Sequence, residues 1–132
     1  RQTRYQRGAP ILKEEVAAAQ ARGQRIRGIL HCYAYGSEMA ELFLGLGLYL
    51  GIGGVITFKN AKKLKEVVAT MPENRILLET DCPYLTPVPF RGKRNESGYV
   101  LHVAEKIAEV KGLSLEEVAE QTTQNAKILF GL

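Results

Sequence analysis

The sequence predicts an α/β fold in which parallel strands alternate with helices, matching in extent about half of a (β/α)8 barrel. Three short apolar runs, over residues 26–33, 48–52 and 75–79, are too brief for helices and are bounded by turn residues. The segments between and after them carry apolar residues at helical spacing, so each run is followed by a helix, the order expected of parallel βα units covered on both faces. Three such strands on their own would leave two open edges, whereas a closed barrel of about 250 residues removes them. The expectation is therefore a partial barrel domain over residues 1–132, with the other half absent.

Each element follows from local chemistry. In residues 9–22, Ile11, Leu12, Val16 and Ala19 fall near helical spacing, and Gly23 supplies a stop. In IRGILHCY, residues 26–33, Ile29, Leu30 and Cys32 mark a buried strand ending near His31. Ser37 is placed to cap the helix EMAELFLGLG, and the second strand is the Gly-rich run over residues 48–52. Asn60 is placed to cap AKKLKEVVATM, where Leu64, Val67, Val68 and Met71 form one apolar stripe before Pro72. RILLE, residues 75–79, is the third strand.

Residues 82–98 then form a long loop, because Pro83, Pro87 and Pro89 fix φ and remove backbone donors. From Tyr99 onward Val100, Val103, Ala104 and Ile107 mark a helix closed by Gly112. Ser114 with Glu117 is a capping-box pattern opening the next helix, and QNAKILFGL reads as a separate, final short one.

Composition bounds the function classes. With 45% hydrophobic and 24% charged residues, the chain has the balance of a globular domain, and no run of 18 apolar residues points to a membrane span. The basic start RQTRYQRGAP is not followed by an apolar stretch of signal type, and two cysteines are too few for a disulfide scaffold, so a reducing, cytoplasmic setting is expected. A net charge of +4 favours an anionic partner no more than it favours plain solubility. The first residue is not methionine, which leads to the expectation that the chain begins inside a longer protein.

In α/β barrels the chemistry gathers where strands end. His31 ends the first strand, and Glu79 and Asp81 end the third; strand alternation would put the two carboxylates on one side and Thr80 and Cys82 on the other. A histidine and a carboxylate from different strands are suitable ligands for a divalent cation, and a neighbouring carboxylate can orient them. Each signal alone is weak, since a strand-end histidine is more often structural; their co-occurrence raises them. In the following loop Arg91, Lys93 and Arg94 suit phosphate oxygens, although a solvated basic loop reads the same. Tyr84 and Phe90 are the aromatics placed to stack on an unpaired base, and packing of the loop explains them equally. His102, Cys32 and Cys82 are read as structural, both thiols facing away from the metal.

LHCY at 30–33, GGVITFKNA at 53–61, ILLETDCPYLTPVPFRGKRNE at 76–96 and TTQNAKILFGL at 122–132 together resemble the TatD family of metal-dependent deoxyribonucleases. The resemblance runs from about Ile11 to Leu132 and implies the C-terminal part of a TIM-type (β/α)8 barrel. It implies a hydrolase in which one or two divalent cations (Mg²⁺, Mn²⁺ or Zn²⁺) activate water against a phosphodiester, with DNA as the substrate. On that footing His31 and Asp81 are metal ligands, Asp81 and Glu79 act in catalysis, and Arg91, Asn95 and Tyr84 meet the substrate.

The chain departs from the family in carrying neither the first-strand His-x-His pair nor the Glu and further His that precede ILKEE. Ala34-Tyr35-Gly36-Ser37 stands in place of the usual Ser-Gly-Ser, and Ser97-Gly98 in place of Pro-Ala. With so few ligands, the isolated chain is expected to be inactive, its partner being the N-terminal half of the same polypeptide. Two other readings share the residues: hydrolysis of another ester or amide, such as an aminoacyl ester on tRNA, and a non-catalytic binding module.

Overall fold

The computed structural model describes residues 3–132. Three parallel strands lie side by side in the order β1-β2-β3: β1 (Ile29–Leu30), β2 (Tyr49–Ile52) and β3 (Ile76–Leu78). The register pairs Leu30 with Leu50 and Ile52 with Leu78. Among the described residues, five α-helices accompany the sheet, α1 (Arg4–Ala21), α2 (Ser37–Gly45), α3 (Lys62–Thr70), α4 (Val100–Lys111) and α5 (Leu115–Phe130), with short 3-10 turns at Gly54–Thr57, Glu73–Arg75 and Ser97–Tyr99. The expected strand–helix alternation is thus present, with all strands parallel.

The main core lies on one face of the sheet. Leu50 and Ile52 from β2 and Ile76 from β3 pack with Phe43 of α2, Val67 and Val68 of α3, and Val103 and Ile107 of α4, all essentially inaccessible to solvent. Burying such a side chain contributes about 1.5–3 kcal/mol, so this layer supplies most of the apolar driving force. The other face is thinner, with Tyr49, Leu77 and Leu129 packing together under the C-terminal half of α5.

Several local expectations need correction. Helix α1 begins five residues before Ala9, because Thr3 and Gln6 form a reciprocal capping box (Gln6 N–H to Thr3 Oγ1, 3.1 Å; Thr3 N–H to Gln6 Oε1, 2.8 Å), and it runs through Pro10. Ser37 is the first helical residue of α2 rather than its cap, since Gly36 takes the extended conformation that precedes the helix. Asn60 does not cap α3 either, because Ala61 intervenes and no side chain bonds the first turn. The segment after Ser114 is one continuous helix closed by left-handed Gly131, not two, because its apolar stripe is never interrupted by a breaker.

The expected buried first strand is only two residues long, and Ile29 is exposed. In the described residues β1 pairs with β2 alone and lies at the sheet edge. The long loop expected over residues 82–98 carries no regular element up to residue 96, and its last two residues open a short 3-10 turn, Ser97–Tyr99.

Candidate active site

The strand ends bring His31, Glu79 and Asp81 together. His31 Nδ1 lies 3.0 Å from Glu79 Oε2, and Nε2 lies 3.3 Å from Asp81 Oδ1. A neutral imidazole has one N–H to donate, so both contacts are hydrogen bonds at once when the ring carries two protons or when one carboxyl is protonated and donates to the ring. The pKa of His31 is accordingly raised, chiefly by the charge of Glu79, with both carboxylates accepting hydrogen bonds and burial opposing. Glu79 is also raised, because burial outweighs the opposing pull of His31 and the Cys32 amide.

Burial grades across the three side chains: Glu79 is 12% exposed, Asp81 38% and His31 63%. Glu79 sits deepest, and its Oε1 is buried without a hydrogen-bond partner. A buried carboxylate oxygen in that state costs on the order of 1–3 kcal/mol or more.

The expected shared face of Glu79 and Asp81 is realised by other means. β3 ends at Leu78, so strand alternation does not reach either residue. Asp81 instead turns toward His31 through a left-handed backbone, φ 55°, and Cys32 just after His31 has φ 52°. Such a conformation costs a non-glycine residue on the order of 1–3 kcal/mol and persists only where the surroundings enforce it. The enforcing groups are visible. Tyr33 N–H donates to Gly51 O (2.9 Å), Glu79 N–H to Ile52 O (3.0 Å), and Tyr84 N–H to Asp81 O (2.9 Å).

Asn95, expected to meet substrate, is corrected to a brace. It is 3% exposed and spends both amide hydrogens on the carbonyls of Thr80 (2.8 Å) and Tyr84 (2.7 Å), flanking Asp81. No donor remains for a ligand.

Arg91 lies with its guanidinium carbon 3.8 Å above the ring of Phe58, which ties the loop after β3 to the segment after β2. Tyr84 is 71% exposed with no ring packed on it among the described residues, whereas Phe90 stacks on Tyr99 at 4.6 Å. Lys93 and Arg94 are exposed. His102 packs against Phe90 at 5.4 Å and faces Glu105 on its own helix at 3.5 Å, a structural setting. Of the two cysteines read as structural, Cys82 is exposed and Cys32 half-buried, because both fall in turns beyond the strands.

Glycines matter here in a way the sequence reading missed. A Cβ on Gly51 would lie 2.0 Å from Glu79 Oε2, and one on Gly54 would lie 2.1 Å from Leu85 O. Gly51 leaves the space that the carboxylate fills, and Gly54 lets the loop lie against the chain after β2. The Gly51-Ile52-Gly53-Gly54 run was the available signal, since glycine inside a strand marks a close approach.

Imidazole nitrogen and carboxylate oxygens are the right donors for Zn²⁺, Mn²⁺ or Mg²⁺, and the unpaired Glu79 Oε1 is a buried acceptor that such a cation would satisfy. The donor types fit a divalent metal. As arranged, the set is closed by its own hydrogen bonds, and among the described residues no group of three or more His, Cys, Asp and Glu side chains is spaced to hold an ion.

A family model described as TatD related DNase matches residues 8–131. The chain is 55% identical over 120 residues to the uncharacterized metal-dependent hydrolase YabD of Bacillus subtilis, covering 91% of this chain and 45% of that protein. It is 46% identical over 103 residues to the uncharacterized metal-dependent hydrolase YcfH of Escherichia coli K12, covering 78% and 39%. The chain thus spans less than half the length of these curated relatives. Among solved structures, the TatD homolog YJJV of Escherichia coli superposes with a TM-score of 0.80 at 28% identity, covering 96% of this chain and 48% of that one. A TatD family hydrolase from Entamoeba histolytica shares the fold with a TM-score of 0.75 at 20% identity, over 92% and 47%.

Proposed function

Since the chain belongs to the TatD related DNase family, we propose that the protein is a metal-dependent hydrolase cutting phosphodiester bonds of DNA, on a (β/α)8 barrel whose later strands these are. The observation that carries the reading is the His31–Glu79–Asp81 cluster, with a buried Glu79 oxygen lacking a partner. His31 and Asp81 would hold the metal, and Glu79 would orient His31 from behind. A divalent cation, when bound, supplies Lewis acidity and makes water a stronger nucleophile at neutral pH.

The chain's own residues supply the rest. Asp81, the more exposed carboxylate, keeps one oxygen toward His31, and its second has no partner among the described residues, so it can take a proton from an attacking water. Arg91, held flat on Phe58, keeps guanidinium N–H groups for phosphate oxygens. The exposed ring of Tyr84 offers a platform for an unpaired base. One imidazole and one carboxylate, with Glu79 in support, fall short of a complete ligand set, so these 132 residues alone should bind metal weakly and turn over poorly.

The test is cleavage of single-stranded DNA by the full-length protein, with and without Mg²⁺ or Mn²⁺. Metal-dependent cleavage that vanishes in His31→Ala/Asp81→Ala is the expected result. Cleavage that survives in the double variant would overturn the assignment.

A further inference from the structure

The opposite end of the sheet, where the strands begin, carries a cavity of about 290 Å³. It lies between the end of α1, the segment before β1, the end of α2 and the end of α5, with Arg25, Arg27 and Arg75 among its lining and no carboxylate. Tyr49, at its wall, begins β2, whereas Ile52 at the other end of that strand bonds Glu79. Three residue steps separate these ends, roughly 10 Å at about 3.3 Å per residue, so this cavity is distinct from the His31 cluster.

We propose that this cavity binds a phosphate group, either as inorganic phosphate or as a small phosphomonoester. Arg75 is already positioned: Nη1 donates to Gly47 O at 3.1 Å, and its guanidinium carbon lies 4.9 Å from the Tyr49 ring centroid. That leaves the other N–H groups of a rigid fork, which matches a phosphate edge-on. Arg25 and Arg27 have no hydrogen bond or ion pair with any described residue. Gln24 Oε1 accepts from Arg22 Nε at 3.2 Å, so its amide N–H groups remain as further donors. The lining is therefore rich in unspent donors and holds no anion to quench them.

The carbonyl ends of α1, α2 and α5 also open here and carry about half a negative charge each, which together offset roughly one and a half of the three guanidiniums. A positive field remains. The volume is near the lower limit of about 300 Å³ for small-molecule sites, enough for phosphate with a short organic arm.

The experiment is calorimetric titration of the full-length protein with inorganic phosphate and with glycerol 3-phosphate at constant ionic strength. Saturable 1:1 binding is expected, weakened at least tenfold in Arg25→Gln/Arg27→Gln and in Arg75→Lys, with circular dichroism confirming that each variant is folded. The pair Lys13→Gln/Lys63→Gln removes the same charge from exposed positions elsewhere and should leave the affinity unchanged. Absence of saturable binding, equal weakening by the lysine pair, or full affinity in the arginine variants would each overturn the proposal. Phosphate binding that is lost when the glycerol arm is added would overturn the phosphomonoester class.

Discussion

β3 is flanked by a polar side chain at each end, and the two are built in opposite ways. Before its first residue stands Asn125 of α5, fully buried, whose Nδ2 donates to the carbonyls of Glu73 and Ile76 at 2.8 Å each while its Oδ1 accepts from Gln121 at 2.8 Å. Beyond its last residue stands Glu79, whose Oε2 meets His31 while Oε1 meets nothing. One is neutral and saturated; the other is ionisable and left incomplete. A saturated amide fixes α5 to the strand and has nothing left to offer a ligand, whereas an unsatisfied carboxylate is costly unless something binds it. The difference separates a group whose hydrogen bonds are all spent on the fold from one with an acceptor left open.

The comparison can be broken by substitution at either end. The largest effect follows from the proposed function: Asp81→Asn in the full-length protein should lower kcat/KM for DNA cleavage on the order of 10³-fold, with unfolding free energy within about 1 kcal/mol of the parent. A large stability loss measured by urea denaturation would mean that Asp81 is structural after all. At the saturated end, Asn125→Ala should destabilise by about 3 kcal/mol, because it orphans two backbone carbonyls and leaves a void. Activity per folded molecule should not change.

Gly51→Ala sharpens the contrast by displacing Glu79 without touching its charge. The added methyl would meet the carboxylate at 2.0 Å, so a stability loss of about 2 kcal/mol is expected from overpacking, together with weaker metal binding in a calorimetric titration. Normal metal affinity in this variant would show that the position of Glu79 is unimportant.

The smallest effect concerns pH. Both His31 and Glu79 are shifted upward, so each contributes stability below its ordinary pKa that is lost as pH rises through its raised value. Stability should therefore decline above pH 4.5 as Glu79 ionises and again modestly above pH 6.5, by less than about 1 kcal/mol for the exposed His31. Glu79→Gln removes the main charge that raises His31, and should flatten this slope in urea titrations while weakening metal affinity about 10–100-fold. An unchanged slope would show that Glu79 does not govern the protonation of His31.

Much of this was legible without coordinates. Apolar runs bounded by turn residues gave the three strands; the stripe of Leu64, Val67, Val68 and Met71 gave α3; Ser114 and Glu117 gave a real capping box. These rest on periodicity and on bonds between residues three or four apart, which the order of the chain itself specifies. The approach of His31 to Glu79 and Asp81, 48 and 50 residues later, was inferred only from a shared strand end.

Tertiary structure decided the rest. It alone turned Asp81 inward through a left-handed backbone, converted Asn95 from a substrate contact to a brace, fixed Gly51 as the space for a carboxylate, and left Cys82 in solvent. Each depends on which distant backbone atoms come within about 3 Å, where a hydrogen bond forms or a methyl group clashes. The sequence determined by itself which residues were capable of chemistry. Packing decided which of them were left unsatisfied, because satisfaction is a property of neighbours.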